Sequence, residues 1–233
     1  MIPVVILCGG RGMRLNEHTE SVPKPMIEVG GMPILWHIMK GYAAHGFKRF
    51  ILCLGYKGEK IREFFSGGIE DWGINCVDTG LETETGGRFR QVEAFIDTPV
   101  FFATYGDNVS DVSAAEILAT HKRSGCVATM TCVRASTTFG ILDLAPDGLV
   151  SAFREKPRLD MYMNGGFFCF NRGVLDYILD NEVFEKEPLQ RLVAGRQLAA
   201  HVHDGYWACM DTFKDNQALN EAWARGETPW RVW

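Results

Sequence analysis

The sequence has no apolar run that approaches the length of a membrane span, and its N-terminus lacks the basic and apolar regions of a signal peptide. We therefore expect a cytoplasmic protein that has no membrane partner. The chain also has no excess of positive charge, because 24 lysines and arginines face 29 aspartates and glutamates, giving a net charge of -5. This balance argues against nucleic acid as a partner, so basic residues that meet phosphates must be concentrated in a cleft.

The seven cysteines are odd in number, and no two of them have the Cys-x-x-Cys spacing of redox or zinc motifs. Most lie in strand-like runs, which favours reduced thiols in the core. His201 and His203 alternate along a strand pattern and offer two imidazoles on one face. Further zinc ligands are not identifiable nearby, so ordinary hydrogen-bonded histidines are the favoured interpretation.

Two common phosphate-binding motifs are missing near the N-terminus. The chain has no Gly-x-x-x-x-Gly-Lys-Ser/Thr string, which excludes the phosphate loop of P-loop NTPases. A dinucleotide fingerprint requires a third glycine three residues after Gly12, and this chain has Leu15 there. A nicotinamide-dependent oxidoreductase is therefore disfavoured.

What the N-terminus does contain is a short, branched apolar run at 4–7 and then Gly9, Gly10 and Gly12. A continuous apolar run of this length is typical of a strand buried on both faces of a parallel sheet. Glycines in the next turn let backbone N–H groups approach an anionic or planar ligand closely. Arg14 and Lys24 follow, and the latter lies between two prolines that stiffen its backbone. The segment predicts a site that holds phosphates.

Apolar runs alternate with helical patterns through the first half, which is typical of βαβ units around a parallel sheet. Right-handed crossovers bring the loops after such strands to one edge of the sheet, so the glycine turn and residues 105–107 should be neighbours. The predicted strands are 2–8, 49–54, 74–78, 99–104 and 126–134, and the predicted helices are 33–45, 58–65, 87–95 and 112–123.

The second half has shorter strands and no linker that would separate an independent domain. An Asp-Gly pair at 147–148 between apolar runs predicts a hairpin of strands 140–144 and 149–154. We therefore expect one domain over 1–233, with a nucleotide-binding half at 1–134 and an acceptor-binding half at 135–233. The remaining predicted elements are strands at 165–170 and 198–203 and helices at 172–179, 187–194 and 213–225.

The glycine turn with its Pro-Lys-Pro-Met continuation resembles the signature of the sugar-phosphate nucleotidyltransferases, the nucleoside-diphosphate-sugar pyrophosphorylases. Seven further strings, in matching order, resemble the glucose-1-phosphate cytidylyltransferase branch of that family. They are PILWHIMK at 33–40, LGYKG at 54–58, VDTG at 77–80, TGGR at 85–88, TYGD at 104–107, NGGFF at 164–168 and MDT at 210–212.

The resemblance implies an α/β fold with a Rossmann-like, mostly parallel mixed central sheet flanked by helices and a small β-rich annex for the acceptor. It implies transfer of a cytidylyl group from CTP to a sugar 1-phosphate, such as α-D-glucose 1-phosphate, with Mg²⁺ as cofactor. It also implies subunit contacts and hence a homo-oligomer, although the segment 66–76 is shorter than in that branch.

The same resemblance assigns residues to roles. Arg14 and Lys24 would be catalytic, because two cations can clamp the triphosphate and help pyrophosphate leave. Asp107 and Asp211 would bind the metal, since Mg²⁺ prefers oxygen ligands. The other nucleotide-binding positions would be Leu7, Gly9, Gly10, Gly12, Thr85, Gly86, Gly87 and Gly106, and the acceptor would contact Gly140, Glu155, Lys156, Asn164 and Gly165.

Two alternatives stay open at this point. The same fold and chemistry would serve UTP or dTTP, or a different phosphorylated acceptor, because a sequence does not show which way backbone groups point at the base. A non-catalytic nucleotide-binding module predicts a damaged phosphate or metal position. Arg14, Lys24, Asp107, Lys156 and Asp211 are all present, and an intact set of roles favours an enzyme.

Overall fold

The computed structural model describes residues 1–12, 22–134, 137, 139–158 and 160–233. The strands are β1 Val4–Leu7, β2 Glu28–Val29, β3 Met32–Pro33, β4 Arg49–Leu54, β5 Gly73–Asp78, β6 Val100–Tyr105, β7 Asn108–Ser110, β8 Ala128–Val133, β9 Ile141–Leu144, β10 Val150–Arg154, β11 Met163–Asn171, β12 Leu198–His203 and β13 Trp207–Cys209. The α-helices are α1 Ile34–Ala44, α2 Gly58–Ser66, α3 Thr85–Gln91, α4 Ala114–Ser124, α5 Glu187–Ala194 and α6 Phe213–Ala224. Short 3₁₀ turns lie at Lys24–Met26, Glu93–Phe95 and Arg172–Tyr177.

A seven-stranded sheet in the order β12-β8-β11-β6-β1-β4-β5 forms the centre of the protein. Only β11 runs antiparallel to its neighbours β6 and β8, while the other pairs within this sheet are parallel. The predicted mixed, mostly parallel α/β sheet is therefore confirmed. Strands from both halves of the chain share it, since β11 and β12 lie beside β6 and β8.

Strand β1 shows why the sheet has helices on both faces. Its residues alternate between two separate clusters of buried side chains, with Val4 and Ile6 in one and Val5 in the other. All three side chains are fully buried. A strand that is apolar at every position can only be stable when both faces are covered, which explains the continuous apolar run in the sequence.

Most predicted elements lie within a few residues of the observed ones. The largest helical difference is at α3, for which the sequence predicts 87–95. It begins earlier, at Thr85, and ends at Gln91, so the last predicted residues form a separate 3₁₀ turn at Glu93–Phe95. The earlier start is held by long-range contacts, because the backbone N–H of Glu84 donates to Asn181 Oδ1 and the N–H of Gly86 donates to the carbonyl of Glu182. The predicted helix at 172–179 is a 3₁₀ segment over Arg172–Tyr177.

The predicted hairpin is present as an antiparallel pair, β9 with β10, which forms a two-stranded sheet outside the central one. An ion pair between Arg154 and Asp143 joins its strands through two contacts of 2.6 and 2.9 Å. This confirms the small β-rich annex as an architectural feature.

The sequence did not predict the short strands, which contain only two or three residues each. The most consequential are β7 and β13, which pair antiparallel with Asn108 opposite Cys209 and Ser110 opposite Trp207. Three residues are too few for a periodic signal. This small sheet joins the loop after β6 to the segment before α6.

All seven cysteines lie among the described residues as free thiols; Cys8, Cys53 and Cys169 are buried, and the other four are partly buried. Among the helices that the structure describes, none has the length and apolar character needed to cross a membrane.

The contact between α3 and the 181–182 segment yields a stability prediction. A Cβ at Gly86 would lie 2.6 Å from the backbone oxygen of Glu182, which moves only if the chain moves. Gly86→Ala should therefore destabilise the protein by about 1–3 kcal/mol. Chemical denaturation followed by circular dichroism measures this change.

Gly41→Ala is the matched control. Gly41 is also helical, and a Cβ there meets nothing within 4 Å. This substitution should stabilise the protein by about 0.5–1 kcal/mol, because alanine loses less backbone entropy in a helix. Equal stability of Gly86→Ala and the parent protein would contradict the packing argument.

Candidate active site

An open cleft of about 510 Å³ lies where β1 and β6 end, at the edge where α/β sheets place ligands. The glycine turn and the loop after β6 are neighbours there, as predicted, and the N–H of Gly106 donates to the carbonyl of Leu7 at 3.1 Å. The volume suits a ligand of nucleotide size. Eight of the predicted nucleotide-binding residues line the cleft: Leu7, Gly9, Gly10, Gly12, Lys24, Thr85, Gly106 and Asp107.

The glycine turn is held by Arg88, a residue of α3 whose role the sequence did not reveal. A Cβ at Gly9 would lie 2.0 Å from the Arg88 guanidinium, so only glycine fits beside it. The guanidinium donates to the carbonyl of Gly9 at 3.3 Å and to that of Leu54 at 3.0 Å. It also donates to Thr79 Oγ1 at 2.6 Å and to the carbonyl of Gly80 at 3.0 Å. The loops after β1, β4 and β5 are thus joined by one side chain.

Arg88 is 4 % exposed, and its charge meets backbone and hydroxyl oxygens rather than a carboxylate. Burial lowers the pKa of its guanidinium from the usual value, while nearby thiols and the carboxylates of Glu84 and Asp78 act in the opposite direction. Several oriented acceptors offset part of the cost of burying a charge. The TGGR string was the available sequence signal, since it places an arginine in an otherwise buried helix face.

At the inner end of the cleft, the Lys24 ammonium lies between two carboxylates. Its Nζ is 2.7 Å from Asp107 Oδ2 and 2.6 Å from Asp211 Oδ1. Asp107 follows β6 and Asp211 follows β13, and the two segments meet because the N–H of Met210 donates to the carbonyl of Asp107 at 3.0 Å. Residues far apart in sequence therefore share one cation.

The electrostatics of this group follow from its burial. Burial raises the pKa of the Asp107 carboxyl, and the opposing influence of Lys24 does not fully cancel this effect. For Lys24, burial alone would lower the pKa, but the charges and hydrogen bonds of Asp107 and Asp211 outweigh it and raise the pKa. Two carboxylates in a partly dry site require a positive charge close by.

The donor set fits a divalent metal ion. Carboxylate oxygens of Asp107 and Asp211 and the Cys209 sulfur all lie within 4.8 Å of one another. Two carboxylates plus phosphate oxygens are what Mg²⁺ commonly takes in phosphoryl-transfer sites. Burial raises the pKa of the Cys209 thiol, so it stays protonated and is a poor ligand for a hard cation. The position of the ammonium shows that the site accommodates a cation between the carboxylates.

Of the residues expected at the acceptor, Asn164 contacts Tyr105 in the cleft wall, whereas the Gly165 carbonyl accepts from Trp207 Nε1 at 2.7 Å, away from that wall. Asn164 Nδ2 donates to the Tyr105 hydroxyl at 3.3 Å, and its Oδ1 accepts from the N–H of Gly166 at 2.8 Å. The Tyr105 hydroxyl donates in turn to Glu185, which also accepts from the Thr85 hydroxyl at 2.6 Å. This network joins residues expected at the nucleotide to residues expected at the acceptor.

The other predicted site residues lie away from the cleft wall or outside the described part. Gly86 and Gly87 pack against residues 181–182, which makes them contacts of α3 with its neighbour. Glu155 and Lys156 are exposed at the base of the hairpin, 3.7 Å apart, and a Cβ at Gly140 would be 3.2 Å from Glu155 Oε2. Arg14 lies outside the described residues.

Comparisons with known proteins place the chain among related sequences and folds. A family model described as nucleotidyl transferase matches residues 3–223. A glucose-1-phosphate cytidylyltransferase of Salmonella typhimurium is 42% identical over 98% of both chains. A probable glucose-1-phosphate cytidylyltransferase of Bacillus subtilis is 39% identical over 98% of this chain and 99% of its own. The crystal structure of HddC from Yersinia pseudotuberculosis has a TM-score of 0.75 at 23% identity and covers 96% of this chain and all of its own, which shows a shared fold.

The shared cation yields a prediction about metal affinity. Because the Lys24 ammonium contacts both carboxylates, a divalent ion must compete with it for the same oxygens. Lys24→Met should therefore raise the affinity of the nucleotide-free protein for Mn²⁺ about tenfold, given the size of such contacts at a partly buried site. Titration at pH 8, followed by the electron paramagnetic resonance signal of free Mn²⁺, measures the change.

Lys48→Met is a suitable control, because Lys48 pairs with Asp71 at an exposed position remote from the cleft. It should leave Mn²⁺ affinity unchanged. Unchanged or weaker Mn²⁺ binding by Lys24→Met would show that the ammonium and the metal do not share a position.

Proposed function

Because the chain belongs to the nucleotidyl transferase family, we propose that it transfers the cytidylyl group of CTP to α-D-glucose 1-phosphate, giving CDP-glucose and pyrophosphate. Full-length relatives at about 40% identity carry this activity in their names and support the choice of substrates. The observation that carries the chemistry is the group of Lys24, Asp107 and Asp211 at the inner end of a nucleotide-sized cleft.

In this reaction an oxygen of the sugar phosphate attacks the α-phosphorus of the nucleotide and pyrophosphate leaves. The protein itself contributes little covalent chemistry, so its catalytic role is to align two polyanions and to stabilise the charge of the transition state. Lys24 supplies a point charge that can follow the α-phosphate, and Arg14 is assigned to the leaving pyrophosphate. Asp107 and Asp211 would hold Mg²⁺, which supplies charge neutralisation on the phosphate oxygens when bound.

The two halves of the chain divide the substrates in this proposal. Residues 1–134 provide the glycine turn, Lys24 and Asp107 for the nucleotide. Residues 135–233 provide Asn164, Gly165 and Asp211, and the hairpin with Glu155 and Lys156 lies beside them in sequence. Gly140 is assigned to the sugar in this proposal, and its missing side chain lets the Phe153 ring of the hairpin pack against its backbone, since a Cβ there would lie 2.6 Å from that ring. The hydrogen-bonded path from Asn164 through Tyr105 to Glu185 and Thr85 supports a joint response to both substrates.

Base selection rests on the glycine turn. Arg88 fixes the backbone of Gly9, so the turn can present rigid backbone groups to a base. Cytosine carries an exocyclic amino donor where uracil carries a carbonyl acceptor. A rigid backbone acceptor that faces this edge receives a hydrogen bond from cytosine. It rejects uracil, because two buried acceptors would then face each other with no proton between them.

A substrate matrix tests the assignment. Release of pyrophosphate would be measured for CTP, UTP, dTTP and GTP, each with glucose 1-phosphate, mannose 1-phosphate and galactose 1-phosphate. We expect the highest kcat/KM for CTP with glucose 1-phosphate. Fastest turnover with UTP would contradict the assignment of CTP as the donor and would still agree with nucleotidyl transfer as the reaction class.

A substitution tests the metal role. Asp107→Asn keeps the shape of the side chain but removes a charge from the group that faces the phosphates, so kcat should fall about 100-fold. Asp97→Asn removes the carboxylate that pairs with Arg49 at the opposite edge of the sheet and should leave kcat unchanged. Near-normal turnover of Asp107→Asn at limiting Mg²⁺ would remove this residue from the metal site.

A further inference from the structure

The two expected metal ligands depend on a very small sheet. Strands β7 and β13 have three residues each, and Asp107 and Asp211 lie just beyond one end of their pairing. Two-stranded pairs of this size are marginal in water without outside contacts. The N–H of Met210 joins the two segments at the metal end. Contacts at the other end add to the control of register, which matters because a slip by one residue turns every side chain to the opposite face.

At that other end, Asp111 and Tyr206 close the pair. Asp111 Oδ1 accepts from the N–H of Tyr206 at 2.8 Å, and the N–H of Asp111 donates to the Tyr206 carbonyl at 3.3 Å. The Ser110 hydroxyl donates to the same carbonyl at 2.7 Å. Both backbone groups of Tyr206 are thus bound to residues at the end of β7, and this sets the register of Trp207 opposite Ser110.

His203 connects this closure to the central sheet. It is the last residue of β12, where it lies opposite Val133 of β8, and its side chain is only 13 % exposed. Its Nε2 lies 2.8 Å from Asp111 Oδ1 and 3.3 Å from both Ser110 Oγ and the Tyr206 carbonyl. The Ser110 proton already goes to Tyr206, so all three neighbours are acceptors and Nε2 carries a proton that it donates to Asp111.

We propose that Asp111 and His203 are positioning residues, which fix the register of the β7–β13 pair and thereby hold Asp107 and Asp211 at metal-binding distance. The proposal rests on the proposed function, because it assumes that these two carboxylates bind the metal. The group of Ser110, Asp111, His203 and Tyr206 is called the register clamp below. None of the clamp residues is among the described residues that line the cleft, so in this proposal they act through the strands.

Gly205 supports this assignment independently. A Cβ on this residue would lie 2.5 Å from Asp111 Oδ1 and 2.7 Å from His203 Cε1. The glycine therefore leaves the space in which the carboxylate and the imidazole meet. The φ angle of Gly205 is not positive, so an alanine there would disturb the clamp through the contacts of its Cβ and not through backbone strain.

The geometry separates a positional role of Asp111 from a role of its charge. Both bonds from Tyr206 and His203 end on the same oxygen, Oδ1, and asparagine also carries an oxygen there. Asp111→Asn should keep the clamp, whereas Asp111→Ala should open it. Metal affinity should follow the hydrogen bonds and not the charge.

The experiment measures Mn²⁺ binding to the whole, nucleotide-free protein by electron paramagnetic resonance, together with the apparent KM for Mg²⁺ and the KM for glucose 1-phosphate. Asp111→Ala and Gly205→Ala should each weaken Mn²⁺ binding about tenfold, in line with the loss of groups that orient metal ligands. The KM for Mg²⁺ should rise in parallel, while the KM for glucose 1-phosphate at saturating Mg²⁺ should stay within twofold. Asp111→Asn and Asp97→Asn should match the parent protein.

Thermal unfolding checks that each variant is folded, and only folded variants are compared. Wild-type Mn²⁺ affinity in folded Asp111→Ala and Gly205→Ala, or equal loss in Asp111→Asn and Asp111→Ala, would overturn the proposal. Asp107→Asn separates this result from a failure of the proposed function. If Asp107→Asn binds Mn²⁺ like the parent protein, then the metal assignment is wrong. If Asp107→Asn loses Mn²⁺ binding and Asp111→Ala does not, then the proposed positioning role of the register clamp is wrong.

Discussion

The contact of one ammonium with two carboxylates is the constraint around which the cleft is organised. Asp107 and Asp211 would repel each other in a partly buried site, and the Lys24 ammonium between them offsets this repulsion. The raised pKa of Asp107 shows that even this contact does not fully offset the cost of burial. A site with this balance favours cations and, through them, the phosphates of a nucleotide.

The second constraint is mechanical. Arg88 joins three loops that follow β1, β4 and β5, and it does so through oxygens that belong mainly to the backbone. The absence of a side chain at Gly9 is the condition for this arrangement, because any Cβ would occupy the place of the guanidinium. Arg88 thus holds the carbonyl of Gly9 in place at the wall of the cleft.

Sequence periodicity predicted the elements that are long and strongly patterned. The strand at 49–54 matches Arg49–Leu54, and the hairpin was placed from an Asp-Gly pair within one residue at each strand. Periodicity failed where tertiary contacts decide the conformation. Strands of three residues such as β7 and β13 carry no period, and α3 begins at Thr85 because Asn181 and Glu182 satisfy its first N–H groups.

The sequence by itself determined the fold class through its alternating strand-like and helical runs, and its motifs singled out Lys24, Asp107 and Asp211 through their resemblance to a known family. Only the tertiary structure decided that these three side chains meet, that Arg88 fixes the glycine turn, and that Asp111 and His203 close the small sheet. The reason is physical: each of these contacts joins strands that are remote in sequence, and pairing between remote strands leaves no mark on the spacing of residues along the chain.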